Sequence, residues 1–152
     1  MATRTARVRT DTLMRRIFKA DTLDELLRQN APSMQAEPFS AHLAALCAQR
    51  GLVPERVIRR AEIDRSYGHQ LFNGTRQPSR DKVLQLALGM GLSVDEAQRL
   101  LRAADRSPLY PRIKRDAVVL FALGKSLGVN EVQALLVQHG LTPLGGVNRH
   151  DE

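Results

Sequence analysis

An all-helical chain is predicted by three observations. Helix-starting and helix-stopping residues recur at short intervals from Phe39 onward. The apolar positions fall mainly to leucine, valine and alanine, with only 4% aromatic residues and no tryptophan. A stretch of 22 residues also recurs at an offset of 35, which marks a repeated helical unit. With 43% apolar residues over 152 positions, the chain can build a core for one domain, or one domain plus an appendage. The expected layout is a five-helix domain over residues 39–106, an N-terminal helical element before it and a C-terminal helical pair after it.

Residues 1–10 carry Arg4, Arg7 and Arg9 with nothing apolar to fold around, so a disordered basic arm is expected there. The sharper reading is an arm that reaches along phosphate or into a minor groove. Residues 11–38 hold an amphipathic stretch in which Leu13, Ile17, Leu23, Leu26 and Leu27 line one face. The spacing Thr22-x-x-Glu25 predicts a capping box, hence two short helices broken near Asp21, and the loop to Pro38 reads as a linker. This element either docks on the following domain or offers its apolar face to a partner chain.

Phe39 to Arg50 is the first helix of the domain, with Leu43, Leu46 and Cys47 at helical spacing and Gly51 at its end. The next helix starts at Pro54, where a missing N–H is harmless and Glu55 suits the positive end of the dipole, and runs to Ala61. Val57, Ile58 and Ala61 share its inner face. After Glu62-Ile63, Asp64 can cap a helix over Arg65–Asn73, and Gly74 can close it in the left-handed conformation. Leu71 and Phe72 point inward. Arg65, Ser66, His69 and Gln70 are left for solvent, and their donors and acceptors suit base edges.

This run, GLVPERVIRRAEIDRSYGHQLFNGTRQP, resembles the helix-turn-helix of phage repressor and Cro-like regulators, the XRE type. Gly51-Leu52, Val57, Ile63, Leu71, Gly74 and Pro78 fall on the family's frame without a gap, and the resemblance covers roughly residues 39–101. It implies a repressor-like fold in which Arg65, Ser66 and Gln70 read bases and Arg76 contacts phosphate. With His69 beside the readers, further backbone contacts are expected from Pro54, Glu55, Tyr67 and Arg80. Four departures stand out. Pro54 replaces a glutamine that touches DNA, Ile58 a small alanine at the helix crossing, Glu62 the turn glycine, and Gly68 a buried aliphatic. Tyr67 and Phe72 are the expected fillers of the space at Gly68.

Ser79 caps a helix from Arg80 to Gly89, and Ser93-x-x-Glu96 predicts a capping box for another from Val94 to about Ala104. Residues 80–101 align with 115–136 at 12 of 22 positions, among them Arg-Asp, Ala-Leu-Gly and Leu-Leu. Residues 107–140 therefore read as a basic, proline-stiffened joint and a helical pair, Pro111 to about Leu127 and Glu131 to His139, repeating the domain's last two helices. The joint's Arg112, Lys114 and Arg115 read first as a solvated charge run. Residues 141–152, with two more glycines and a proline, are expected to fray.

The formal charge is +7 and the pI about 10.5, which favours a polyanionic partner. Residues 50–82 and 99–116 each carry a net +4, whereas 117–152 carries −1, a distribution suited to a phosphate-facing front and a protein-facing back. Cys47 has no second cysteine to pair with, no apolar run is long enough to span a membrane, and no signal peptide is recognisable, so a cytoplasmic protein is expected. The four histidines are scattered, and there is no phosphate loop and no nucleophile motif. No enzyme, metal or cofactor is expected. The leading expectation is a sequence-specific DNA-binding transcriptional regulator of bacterial or phage type, binding double-stranded DNA as a homodimer through its terminal helices. The alternative is an interaction module on the same fold, an adaptor or inhibitor of a partner protein. RNA binding lacks a stacking aromatic set.

Overall fold

The computed structural model describes residues 8–34 and 37–146. Most of the N-terminal arm and residues 147–152 of the expected tail lie outside them. The chain divides into two compact units, Met1–Glu37 and Pro38–Glu152.

In the first unit, α1 (Thr10–Lys19) and α2 (Leu23–Asn30) are followed by a 3₁₀ turn, Ala31–Met34. Thr22 precedes α2 in extended conformation, but its side chain makes no capping bond, so the expected capping box is absent. The helices are tied instead through Asn30, which accepts from Arg16 Nη1 (2.9 Å) and donates to the Leu26 carbonyl (2.8 Å). Met14, Phe18, Leu23 and Leu27 remain exposed.

The second unit contains α3 (Phe39–Gln49), α4 (Pro54–Arg60), α5 (Arg65–Asn73), α6 (Arg80–Met90), α7 (Val94–Ala103), α8 (Lys114–Gly124) and α9 (Val129–Gln138). No strand occurs among the described residues, and the all-helical architecture with a helix-turn-helix domain stands. Helix α6 is the axis of the unit: Val83, Leu84 and Leu86 are fully buried, and everything from Val83 to Met90 is shielded. On one side it packs on α4, where a β-carbon at Gly89 would lie 2.8 Å from the Ala61 nitrogen and 2.9 Å from its Cα. Only a glycine allows the backbones to come that close. Cys47 sits in this core, where burial pushes its thiol pKa up.

The sequence repeat is reproduced in a set of matching polar contacts. Gln98 clasps the backbone of Leu109, donating to its carbonyl (3.0 Å) and accepting from its N–H (2.8 Å). Gln133 clasps Leu144 in the same way, at 2.7 Å for both bonds. Arg80 donates to the carbonyls of Ser107 and Pro108, and Arg115 to those of Thr142 and Pro143. The ion pairs between copies are crossed. Arg80 forms a two-bond fork with Asp116 (2.9 and 2.8 Å) and Arg115 with Asp81 (2.8 and 2.9 Å). Each aspartate also accepts from the opposite loop, Asp116 from Tyr110 N–H and Asp81 from Gly145 N–H, both at 3.0 Å. The two copies thus face each other about a local pseudo-twofold axis.

Three further expectations change in the second unit. Helix α8 starts at Lys114 and not Pro111, because residues 110–113 form a turn closed by Ile113 N–H on the Tyr110 carbonyl (3.0 Å). Arg115 is not part of a solvated charge run but a structural clamp. Residues 141–146 do not fray: Leu144 is buried and held by Gln133, and Gly145 by Asp81.

Candidate nucleic-acid interface

Helices α4 and α5 form a bent pair whose inner faces are Val57, Ile58 and Ala61 on α4 and Gly68 and Leu71 on α5, all buried. Asp64 caps α5 by accepting from Tyr67 N–H (3.1 Å), and Gly74 closes it in the left-handed conformation. The turn between them passes through Glu62 at φ +56°, a conformation that costs a side-chain-bearing residue about 1–2 kcal/mol. Buried Gln85 of α6 holds that turn, donating to the carbonyls of Ala61 (3.0 Å) and Glu62 (3.4 Å).

At the crossing, a β-carbon at Gly68 would lie 2.6 Å from Cγ1 and Cγ2 of Ile58. Ile58 therefore fills the space, not Tyr67 and Phe72. The large residue on α4 and the missing side chain on α5 are one exchange of volume between the two helices.

Of the expected base readers, Arg65 and Ser66 are exposed and His69 and Gln70 half-buried, and all four lie within two turns of α5. Two of them share a partner. Arg65 donates through Nε (3.1 Å) and Nη2 (3.0 Å) to Oε1 of Glu55, and His69 Nε2 lies 2.9 Å from the same oxygen. These contacts with His69 and Arg65 hold the Glu55 carboxyl below its usual range. Further along, Gln70 Oε1 accepts from Arg76 Nε (3.0 Å). The Arg76 guanidinium lies 4.8 Å from the centre of the half-buried Tyr67 ring, and the Lys82 ammonium 5.6 Å from it.

The expected backbone contacts therefore separate. Pro54 is exposed at the start of α4, and Arg76, stacked on Tyr67, is exposed beside α5. The Glu55 carboxylate, at the start of α4, is engaged with Arg65 and His69, two of the expected readers. Arg80 is removed from the set altogether: its guanidinium bonds Asp116, Ser107 and Pro108. Lys82, which no motif singled out, joins Arg76 over Tyr67. Its only signal in the sequence is its place within the basic run 50–82.

Among the described residues, no group of three or more His, Cys, Asp or Glu could hold a metal ion, and no helix is long and apolar enough to cross a membrane. A comparison with curated proteins and with solved structures finds no match. A protein-family model described as a helix-turn-helix domain matches residues 38–100, the span from α3 through most of α7. In residues 38–100 this chain carries a helix-turn-helix domain, consistent with the XRE-type family that its residue pattern resembles.

Proposed function

We propose that the protein is a sequence-specific, XRE-type transcriptional regulator that lays α5 in the major groove of double-stranded DNA. The helix-turn-helix domain points to a DNA-binding regulator. The observation that carries the finer reading is the arrangement of α5. One face is locked to α4 through Ile58 and Gly68, and the other presents Arg65, Ser66, His69 and Gln70 together. In this reading Arg65 pairs with guanine and Gln70 with adenine, each worth about 1–3 kcal/mol of discrimination. Arg76 and Lys82 hold phosphate. The protein acts without catalysis or cofactor, in the cytoplasm of a bacterial or phage-infected cell, and two copies joined through terminal helices present two copies of α5 to neighbouring half-sites.

One observation favours the second reading, an interaction module that binds a protein. The Glu55 carboxylate engages Arg65 and His69, so the front of α5 is partly neutralised by the chain itself. Selection of bound fragments from a genomic library at two salt concentrations separates the two. Enrichment of a few related sites, weakened steeply by salt, is expected of the regulator. Uniform retention that vanishes with modest salt would contradict it.

A further inference from the structure

The two copies of the repeat differ where the first meets the turn between α4 and α5. Position 85 on α6 is glutamine, whereas its match on α8, 35 residues on, is Leu120. Gln85 is 3% exposed, and its Oε1 is buried without a partner among the described residues, a cost that a leucine there would avoid. In return Nε2 donates to the carbonyls of Ala61 (3.0 Å) and Glu62 (3.4 Å). Two carbonyls on that side fix the orientation of the amide, so Oε1 faces away from the turn. There it meets the loop after α9. A β-carbon at Gly145 would lie 2.7 Å from Oε1 and 3.6 Å from Cδ, so the backbone of this loop rests on the end of Gln85. The matching loop of the first copy carries Tyr110 in place of the glycine.

The turn needs holding because Glu62 stands at φ +56°, where a helix end usually has glycine. Its N–H donates to the Arg59 carbonyl (3.1 Å) and that of Ile63 to the Ile58 carbonyl (3.2 Å), which directs the chain from α4 into α5. The second copy also reaches this residue directly, since Asn130 Nδ2 in the first turn of α9 donates to Glu62 Oε1 (3.2 Å). We propose that Gln85 is a positioning residue for α5, and that the C-terminal copy is the brace that keeps Gln85 against the turn. The loop behind Gln85 is itself anchored, by the clasp of Gln133 on Leu144 and by the bond from Gly145 N–H to Asp81 (3.0 Å). A glutamine under a glycine occurs on the side that carries the turn, and a leucine and a tyrosine occupy the matching positions on the side that does not.

That a positioned α5 reads DNA rests on the function proposed above, but the brace does not, so it is tested first without DNA, by amide hydrogen exchange of the full chain. Gln85→Met keeps the length of the side chain and removes its donors; the Glu62 and Ile63 amides should then exchange about ten-fold faster, while those of α8 keep wild-type rates. Gln133→Ala, which frees the Leu144 loop from α9, should speed the same two amides. Gln98→Ala, the matching change in the first copy, frees the Leu109 loop and should not. Glu62→Gly, which takes the left-handed conformation without strain, should remove most of the effect of Gln85→Met. Unchanged exchange at Glu62 and Ile63 in Gln85→Met overturns the proposal, as does an equal response to Gln133→Ala and Gln98→Ala. Fluorescence anisotropy then reads the link to recognition: Gln85→Met should lower the preference for a selected site over an unrelated duplex by about ten-fold. An unchanged preference overturns the positioning role. A wild type without any preferred site would defeat the DNA reading instead, and the exchange rates would still decide the brace.

Discussion

Ile58 occupies the volume that a side chain at position 68 would need: a β-carbon on Gly68 would meet its Cγ1 and Cγ2 at 2.6 Å and its Cδ1 at 2.8 Å. Ile58 is 2% exposed and packed from all sides, so it cannot swing away. The two residues are a matched pair: a side chain at 68 would press on Ile58, and a smaller residue at 58 would leave a void beside Gly68.

A double-mutant cycle measures that match. Gly68→Ala should destabilise by about 1–3 kcal/mol through overpacking. Ile58→Ala should destabilise by about 2–5 kcal/mol through the cavity it leaves. The double variant should be more stable than the sum of the two predicts, by roughly 1 kcal/mol or more, in urea denaturation. Additive losses would mean that the two sites do not meet.

The bounds of α5 were legible because Asp64 and Gly74 act locally: a cap and a left-handed stop can be recognised without knowing the rest of the fold. The Ile58–Gly68 exchange was not, since two departures ten positions apart look independent until the helices are crossed. Arg80 was misplaced for the same reason. Its partner Asp116 lies 36 residues further on, although the recurrence of Arg-Asp in both copies was visible. The folded tail had a signal too, because Ser107-Pro-Leu and Thr142-Pro-Leu share the repeat offset, but three residues beyond an otherwise unmatched stretch carry little weight alone.

The glycines of the repeat should respond in opposite directions. Gly89→Ala drives a methyl into the Ala61 backbone, which cannot give way, and should cost about 1–3 kcal/mol or more. Gly124→Ala, at the matching position of the second copy, meets nothing within 4 Å and should stabilise by about 0.4–1 kcal/mol. Thermal unfolding of the two variants reads both signs.

The crossed ion pairs predict a defined acid response. Burial alone would raise the Asp81 and Asp116 carboxyls, but their bonds from arginine and backbone N–H outweigh it and hold both below the ordinary 3.8. A depressed folded value means that the contribution is complete above about pH 4 and is lost as pH falls through the folded value. Asp116→Asn should therefore lower stability at neutral pH and flatten its decline in acid. Asp116→Ala, which strands Arg80 without its carboxylate, should cost about 3–5 kcal/mol, measured by urea denaturation.

Glu55 holds Arg65 and His69, two of the base readers proposed for α5, with one oxygen. Glu55→Gln keeps the side chain's shape, removes an anion from the surface proposed to face DNA, and should strengthen DNA binding at low salt, with less gain at high salt. Fluorescence anisotropy against a selected site checks this. Weaker binding by the variant would show that Glu55 positions Arg65 and His69 for their contacts.

The most direct measurement compares the sequence preference of wild type and Arg65→Ala on variants of a selected site, alongside Arg76→Ala. If α5 reads the major groove, Arg65→Ala loses discrimination at one base pair by about 1–3 kcal/mol, while Arg76→Ala weakens all sequences alike and reduces the salt slope by about one. An Arg65→Ala protein with an unchanged preference profile would contradict the assignment of α5 as the recognition helix.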